Sequence, residues 1–176
     1  MYLDLNTIDR HLALVTFTPA VVGYLRDGDE VCLGVRKRVS SGLGENLLAG
    51  IGGKIGDSPE FQNETPDETM DREAREEIGV ILLEKQVMGR VRFIFTHKPP
   101  DSQWNQDVRI YSITMWEGEP AETESTRPEW FNMGQIPWER MWYDNKYWLP
   151  RVLSGQSVDA VFLFSDDNKI TAYRFD

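Results

Sequence analysis

The sequence predicts a single α/β domain. Alternating and β-branched runs lie on both sides of one strongly marked amphipathic helix near residues 65–79, a pattern typical of a sheet covered by helices. The chain has 176 residues, which is long enough to bury a substantial core, and it contains no repeat, linker or low-complexity tract. We therefore expect residues 1–176 to form one domain.

Three strands are predicted before this helix. Residues 20–25 and 30–36 are apolar and β-branched, and Asp27-Gly28 between them is a dipeptide typical of tight hairpins. Residues 47–51 form a shorter run that leads into a glycine pair at 52–53. Adjacent glycines permit positive φ and bring backbone groups close to a ligand, so this turn is a candidate phosphate contact.

The helix carries start and stop signals at both ends. Thr65 is the predicted N-cap, Pro66 the first helical residue and Glu68 the second half of a capping box. Gly79 is a good left-handed stop. The helix is therefore predicted to begin after Thr65 and to end near Gly79.

Four further strands and a second helix are predicted after it. Residues 87–96 and 107–116 are alternating or β-branched runs, separated by a Pro-rich loop that contains Trp104. A helix is predicted at residues 144–153, kinked or interrupted at Pro150. Residues 158–164 and 169–175 form a terminal hairpin around the polar turn 166–168.

The net charge and composition of the chain limit the classes of molecule that it is expected to bind. The formal net charge of −10 argues against a polyanion such as duplex DNA, so we expect no nucleic acid polymer. Cys32 is the only cysteine, which excludes an intramolecular disulfide and favours a reducing compartment. The apolar stretch 12–25 is broken by Thr16, Thr18 and Pro19, so it is predicted as a strand rather than a leader or membrane segment. We expect a cytoplasmic monomer without membrane attachment that binds a small phosphorylated molecule.

One side of the first helix collects negative charge. Glu73, Glu76 and Glu77 fall within about 100° of arc, since a helix advances about 100° per residue. Like charges four residues apart destabilise an isolated helix by a few tenths of a kcal/mol, so a cation is expected above them. Mg²⁺ or Mn²⁺ takes such oxygen ligands. The alternative is a solvated helix in which Arg72 pairs with Glu76 and Asp71 pairs with Arg75.

The segment from Gly53 to Val80 resembles the Nudix box. Glu64 is followed by seven residues and then by Arg72-Glu73-Ala74-Arg75-Glu76-Glu77-Ile78-Gly79-Val80, which matches every fixed position of the second half of that motif. The first half departs, because ten residues rather than five separate Gly53 from Glu64. The excess lies within residues 56–63, which are expected to form a tolerated bulged loop, since loop-closure cost grows slowly with length. The resemblance implies the Nudix fold, an α/β/α sandwich with mixed β-sheets between helices.

The resemblance also implies roles for individual residues. The Gly53 carbonyl and the carboxylates of Glu73, Glu76 and Glu77 are expected to hold Mg²⁺ or Mn²⁺, with Glu124 as a further carboxylate. One of these glutamates is the expected general base, and the residues leave open which one.

Two further roles concern basic side chains. Arg72 is expected to pair with Glu64 and to tie the loop to the helix. The candidate phosphate contacts are Arg36, Lys37, Arg38 and Lys54, although at least two of the four are better explained as exposed charges at the end of a strand.

The second half of the chain resembles the Nudix branch that hydrolyses oxidised purine nucleoside triphosphates. The resemblance lies in Arg127-Pro128-Glu129-Trp130-Phe131, in Gln135-Ile136-Pro137 and in Met141-Trp142-Tyr143-Asp144-Asn145-Lys146-Tyr147-Trp148-Leu149-Pro150. It implies that Trp142 stacks on the base, that Asp144 and Asn145 read its polar edge, and that Phe93 lines the opposite wall. Hydrolysis would yield a nucleoside monophosphate and pyrophosphate.

Read without the family, the same aromatic residues have two interpretations. Trp142 and Phe93 are suited to sandwich a flat heterocycle, with Asp144 and Asn145 at its polar edge. Taken singly, each of four aromatic residues is better explained as a core or rim residue: Trp138, Trp142, Tyr147 and Trp148.

Three positions depart from this branch and keep other activities open. Ala49 stands where the animal enzymes have an asparagine, Asn145 replaces the second of two aspartates, and Glu124 lies one position early, with Ser125 in the usual place. The alternatives are a pyrophosphatase for nucleotide sugars, dinucleoside polyphosphates or capped RNA, and a nucleotide sensor that does not cleave. The presence of all three box glutamates disfavours the sensor.

Overall fold

The chain folds into one mixed β-sheet with helices on both faces, as seen in a computed structural model that describes residues 5–37 and 46–176. Within these ranges the helices are α1 (Leu5–Leu14), α2 (Pro66–Ile78) and α3 (Asn145–Leu153), with a 3₁₀ turn at Trp138–Arg140. The strands are β1 (Thr18–Asp27), β2 (Glu30–Arg36), β3 (Leu48–Ala49), β4 (Ile81–Phe95), β5 (Gln106–Glu117), β6 (Thr126–Asn132), β7 (Val158–Phe164) and β8 (Ile170–Phe175).

The sheet contains both parallel and antiparallel strand pairs. Along the main path the order is β3-β2-β1-β5-β4-β7-β8, and β6 pairs with β2 off this path. The pairs β1/β5 and β4/β7 are parallel, and the others are antiparallel. Near its start β1 also bridges the glycine segment, through Ala20 with Lys54 and Gly23 with Ile51. This places the glycine turn at the sheet, beside the C-terminal half of α2.

The two faces of the sheet bury different helices. On one face Tyr24, Leu33 and Phe162 pack with Trp148 and Leu149 of α3. On the other face α2 packs on β1 and β5, and α1 packs on β4, β7 and β8. The alternation of side chains along each strand separates these two cores. The expected α/β/α sandwich is confirmed.

Helix α2 has the ends that the sequence predicts. The Thr65 hydroxyl accepts the Glu68 backbone N–H at 3.2 Å, and the Glu68 carboxylate accepts the Thr65 backbone N–H at 2.8 Å. Gly79 closes the helix at a φ of 75°. The apolar stripe of Met70, Ala74 and Ile78 is fully buried. Caps and stripe together fix which side of the helix faces the sheet and therefore which side presents the glutamates.

The strand-like interpretation of residues 12–25 is wrong at its start. Residues up to Leu14 belong to α1, and β1 begins only at Thr18. Ile8 and Leu12, one helical turn apart, pack against the α1 face of the sheet and favour the helix. Strand β6 is also absent from the prediction, because Pro128 and the charged residues around it resemble a loop. Among the described helices, none is long and apolar enough to cross a membrane.

Candidate active site

The glycine turn and the acidic helix meet in the structure. The backbone N–H of Gly52 donates to a carboxylate oxygen of Glu77 at 3.0 Å. Gly53 packs against the Glu73 carboxylate so closely that a Cβ at this position would overlap it. Gly52 has a φ of 155°, and a Cβ there would overlap the Val21 carbonyl. A side chain at position 52 would therefore displace backbone of β1, and one at position 53 would displace the Glu73 carboxylate.

Burial makes a negative charge on Glu73 or Glu77 costly unless a positive charge compensates it. Burial raises the pKa of Glu77 to about 7, while the Gly52 N–H and Arg36 oppose this effect. Burial also raises the pKa of Glu73, and Arg72 opposes it. A further positive charge at this corner would relieve the cost of keeping both groups ionised.

Arg72 binds several of the neighbouring carboxylates. Its Nε donates to both Glu64 oxygens at 2.9 and 3.0 Å, so the predicted contact with Glu64 is present. One of its two terminal nitrogens, Nη1, donates to Glu73 at 2.9 Å and to Glu76 at 3.0 Å. The Arg72–Glu76 pair of the solvated-helix interpretation thus also forms, but as part of a partly buried network. The Asp71–Arg75 pair of that interpretation does not form among the described residues, because Asp71 accepts a hydrogen bond from Lys85 at 2.6 Å instead.

The donor set at this corner fits a hard divalent cation. Among the described residues no three His, Cys, Asp or Glu side chains are gathered tightly enough to enclose an ion. The available donors are nevertheless carboxylate and carbonyl oxygens, which hard divalent cations prefer. Burial raises the pKa of Glu73 and of Glu77, whereas the Glu76 side chain is more exposed. The Gly53 carbonyl accepts the Val21 N–H at 2.9 Å and keeps one lone pair.

Glu124 lies in an exposed loop beside the end of α2. The loop is anchored there, because the Thr123 hydroxyl donates to the Glu77 backbone carbonyl at 2.9 Å. Glu124 itself forms no hydrogen bond or ion pair with any described residue. Its part in metal binding stays a prediction.

A cavity of about 530 Å³ opens beside the glycine turn. Phe93 and Trp142, the predicted base-stacking residues, both line it, and Asp144 and Asn145 line it as well. Gly52, Gly53, Lys54 and Arg36 are also part of its wall. One cavity therefore connects the aromatic residues with the glycine turn, against which Glu73 and Glu77 lie.

Asp144 and Asn145 are the buried polar pair of this cavity. Asp144 is only 3% exposed and accepts the Trp148 indole N–H at 2.8 Å. The Asn145 amide nitrogen donates to the Trp142 carbonyl at 3.2 Å. Burial raises the pKa of Asp144 to about 6, against the effect of the Trp148 N–H. At neutral pH Asp144 is therefore mainly a carboxylate that has no described cation beside it.

The basic residues predicted to contact phosphates separate into three groups. Arg36 and Lys54 line the cavity, and Lys54 donates to the Gln103 side-chain oxygen at 2.9 Å. Lys37 instead turns to the loop near α2, where it pairs with Glu122 and donates to the Thr123 carbonyl at 2.7 Å. Arg38 lies outside the described residues.

Sequence reasoning missed the contribution of the loop before β5. Trp104 and Gln103 line the cavity, and the Trp104 ring lies edge-on to Phe95 at 5.3 Å. Fully buried Asn105 fixes this loop, since it accepts the Phe95 N–H at 3.0 Å and donates to the Pro100 carbonyl at 3.1 Å. A lone tryptophan in a Pro-rich loop gave no signal of which surface it would cover.

A substitution at Gly53 tests the contact between turn and helix. Gly53→Ala is expected to push the Glu73 carboxylate aside and to lower kcat about 10²-fold, because the displaced group is a proposed ligand. The Tm should fall only slightly, since the overlap is with a side chain and not with backbone. Steady-state kinetics and thermal unfolding check both expectations, with Gly134→Ala as an exposed control. Full activity in Gly53→Ala would contradict this role of the contact.

The sandwich fold, the glycine turn and the glutamate-bearing helix are those of a NUDIX domain. The NUDIX domain model matches residues 16–152, and the chain belongs to this family. The resemblance seen in the motif is confirmed.

Individual relatives extend this comparison. The chain is 34% identical over 143 residues to the oxidized purine nucleoside triphosphate hydrolase of Mus musculus, an alignment that covers 81% of this chain and 84% of that protein. It is 32% identical over 146 residues to the protein of the same name from Danio rerio, covering 83% and 86%. The fold matches a MutT protein from Bacillus halodurans with a TM-score of 0.73 at 22% identity, over 91% of this chain and 98% of that one.

Proposed function

We propose that this chain is a Mg²⁺- or Mn²⁺-dependent hydrolase that converts an oxidised purine nucleoside triphosphate to the monophosphate and pyrophosphate. One observation carries the proposal. The cavity that holds the buried Asp144–Asn145 pair also reaches the Gly52–Gly53 turn, against which Glu73 and Glu77 lie. A base and its phosphates would thus occupy neighbouring parts of one cavity.

The two animal relatives support the choice of substrate. Both are named for hydrolysis of oxidised purine nucleoside triphosphates, and each alignment spans more than four fifths of this chain. The aromatic and acidic residues of the cavity are of the types that bind a purine.

Base recognition follows from the polar atoms at the edge of the cavity. Phe93 and Trp142 present flat faces to a ring, and an ionised Asp144 accepts a hydrogen bond from a base N–H. Asn145 offers a permanent amide donor and an acceptor oxygen. An oxidised guanine carries both N–H and C=O groups on one edge, and this pair complements it.

The acidic corner is proposed to serve the phosphates. The Gly53 carbonyl with Glu73, Glu76 and Glu77 would hold a divalent cation, with Glu124 as a further candidate. When bound, the cation supplies charge neutralisation at the phosphates and acidifies the attacking water. One glutamate takes the proton from that water, while Lys54 and Arg36 contact phosphate oxygens.

A panel of nucleotides with a Mg²⁺ titration tests this proposal. The panel contains 8-oxo-dGTP, dGTP, a nucleotide sugar, a dinucleoside polyphosphate and a capped RNA, and the products are separated by chromatography. We expect Mg²⁺-dependent release of 8-oxo-dGMP and pyrophosphate as the fastest reaction. Faster cleavage of another class would contradict the proposed substrate, and binding without cleavage would contradict hydrolysis.

The asparagine at position 145 leads to a second prediction, which concerns the range of purine nucleotides that the protein hydrolyses. Two adjacent buried carboxylates can exchange a proton and so present alternative donor patterns to a base, since both cannot easily be charged together. Asn145 removes this exchange. The wild-type chain is therefore expected to accept a narrower range of purines than Asn145→Asp.

Specificity constants measure this difference. We compare kcat/KM for 8-oxo-dGTP, 2-hydroxy-dATP and dGTP on both proteins. We expect the ratio of 2-hydroxy-dATP to 8-oxo-dGTP to rise about tenfold in Asn145→Asp, as a changed hydrogen bond to a charged group contributes about that much. An unchanged ratio would show that Asn145 does not set the range.

A further inference from the structure

We infer that Phe61, in the extra loop between the glycine turn and α2, is a positioning residue for the metal-binding carboxylates and acts through Arg72. The inference rests on the proposed function and concerns a part of the chain for which the Nudix motif has no counterpart. The loop occupies residues 56–63, and its aromatic side chain reaches the centre of the Arg72 network.

The first step is the contact between the ring and the guanidinium. The central carbon of the Arg72 guanidinium lies 4.3 Å from the Phe61 ring centroid, which is cation–π distance. The Arg72 side chain is only 12% exposed. A partly desolvated cation over an aromatic face is held more strongly than an exposed one.

The second step is that the loop holds Phe61 in place. The Phe61 backbone N–H donates to the Ser58 carbonyl at 3.1 Å, and the Phe61 carbonyl accepts the Glu64 N–H at 3.0 Å. These two turns link Phe61 to Glu64, which itself binds Arg72. The loop thus contacts the guanidinium through an aromatic face and, at its end, through a carboxylate.

The third step is the balance of charge around Arg72. Four carboxylates lie within 4 Å of its nitrogens: Asp57, Glu64, Glu73 and Glu76. One guanidinium cannot neutralise four negative charges, so the group has capacity for an added cation. Of its two terminal nitrogens, one binds Glu73 and Glu76, while the other is buried without a hydrogen-bond partner among the described residues.

These contacts indicate that Phe61 holds the Arg72 guanidinium in place. Glu73 and Glu76 are proposed to bind a metal, yet in the present arrangement both are hydrogen-bonded to Arg72. For a metal to bind Glu73 and Glu76, Arg72 must remain bound to Glu64 and must not move toward the metal together with these two carboxylates. Phe61 covers one face of the guanidinium and holds it there, so the loss of the ring should let Arg72 compete with the cation.

Mn²⁺ binding to the nucleotide-free protein tests this inference without reference to turnover. We measure Kd for Mn²⁺ from the free-ion electron paramagnetic resonance signal in wild type, Phe61→Leu, Phe61→Tyr and Phe175→Leu. Leucine keeps an apolar side chain without a π face, whereas tyrosine keeps the ring. Phe175 is a matched control, because its ring packs under Arg151 at 3.9 Å in a different part of the fold.

We expect Kd for Mn²⁺ to rise about three- to tenfold in Phe61→Leu, as the loss of a cation–π contact predicts. Phe61→Tyr and Phe175→Leu should stay within about twofold of wild type. Thermal unfolding without metal identifies any variant that does not fold, and Phe61→Met then replaces Phe61→Leu. Equal or tighter Mn²⁺ binding by a folded Phe61→Leu overturns the inference. No binding by the wild-type chain would instead contradict the proposed function and this inference with it.

Discussion

Replacement of Glu77 by glutamine is expected to lower kcat by about 10²-fold or more without unfolding the protein. Glutamine can still accept the Gly52 N–H that Glu77 accepts at 3.0 Å, so the contact between turn and helix is retained. It lacks the negative charge that a divalent cation requires from its ligand. The variant therefore separates the charge of this side chain from its structural hydrogen bond.

Steady-state kinetics at saturating Mg²⁺, together with thermal unfolding, measures both effects. Glu84→Gln, at an exposed position of β4, is the control for the loss of one carboxylate and should leave kcat unchanged. A Glu77→Gln protein that melts normally and keeps near-full turnover would contradict the role given to Glu77.

Asp144→Asn is expected to stabilise the free protein and to impair catalysis. Asparagine keeps an acceptor for the Trp148 N–H but carries no charge that must be buried. It also turns an amide donor toward the base where an acceptor is needed. We expect kcat/KM for 8-oxo-dGTP to fall about 10²-fold, as expected for the loss of a buried hydrogen bond to a charged group.

The gain in stability has a defined pH dependence. Burial raises the pKa of Asp144 from an ordinary 3.8 to about 6 in the folded protein. Between these values the folded state binds the proton more tightly than the unfolded state, so wild-type stability falls as pH rises through this window. Above pH 6 the full cost remains, on the order of 3 kcal/mol.

Urea unfolding at pH 4 and pH 8 measures this cost. The difference in the free energy of unfolding between Asp144→Asn and wild type should be small at pH 4 and close to its maximum at pH 8. Asp166→Asn, at an exposed turn, serves as the control and should show no such difference. Equal stability of Asp144→Asn and wild type at pH 8 would mean that Asp144 carries no burial penalty.

Local signals predicted the central part of the fold well. The capping box at Thr65, the glycine stop at Gly79 and the buried stripe of α2 are determined by neighbouring residues, and all three are present. The terminal hairpin is also found, with β7 at the predicted residues. Such features depend on contacts within a few positions, which the order of residues directly records.

Features that depend on distant partners were harder to predict. Strand β6 forms because β2 offers it a free edge along its full length, and nothing near Pro128 indicates that edge. Helix α1 is stabilised by apolar contacts with residues of β4, β7 and β8. Tertiary packing decides both cases.

The candidate site likewise combines residues that a local motif predicts with residues whose positions depend on distant parts of the chain. The motif identified the glutamates and the glycine turn, and the structure brings Glu73 and Glu77 against Gly53 and Gly52. The place of Lys37 beside Glu122 depends on a loop that is distant in sequence, so its predicted phosphate role receives no support from its position. The contact between Phe61 and Arg72 was equally unpredictable, since the motif gives no role to residues of the extra loop.

Competition between two nucleotides in one reaction tests the central claim most directly. An equimolar mixture of 8-oxo-dGTP and dGTP is treated with the protein and Mg²⁺, and the ratio of the two monophosphates formed at low conversion gives the ratio of kcat/KM. A purine pocket read by Asp144 and Asn145 predicts a preference for 8-oxo-dGTP of about tenfold or more, because several hydrogen bonds to the oxidised edge would be lost with dGTP. Equal consumption of the two nucleotides, or cleavage of neither, would contradict the account.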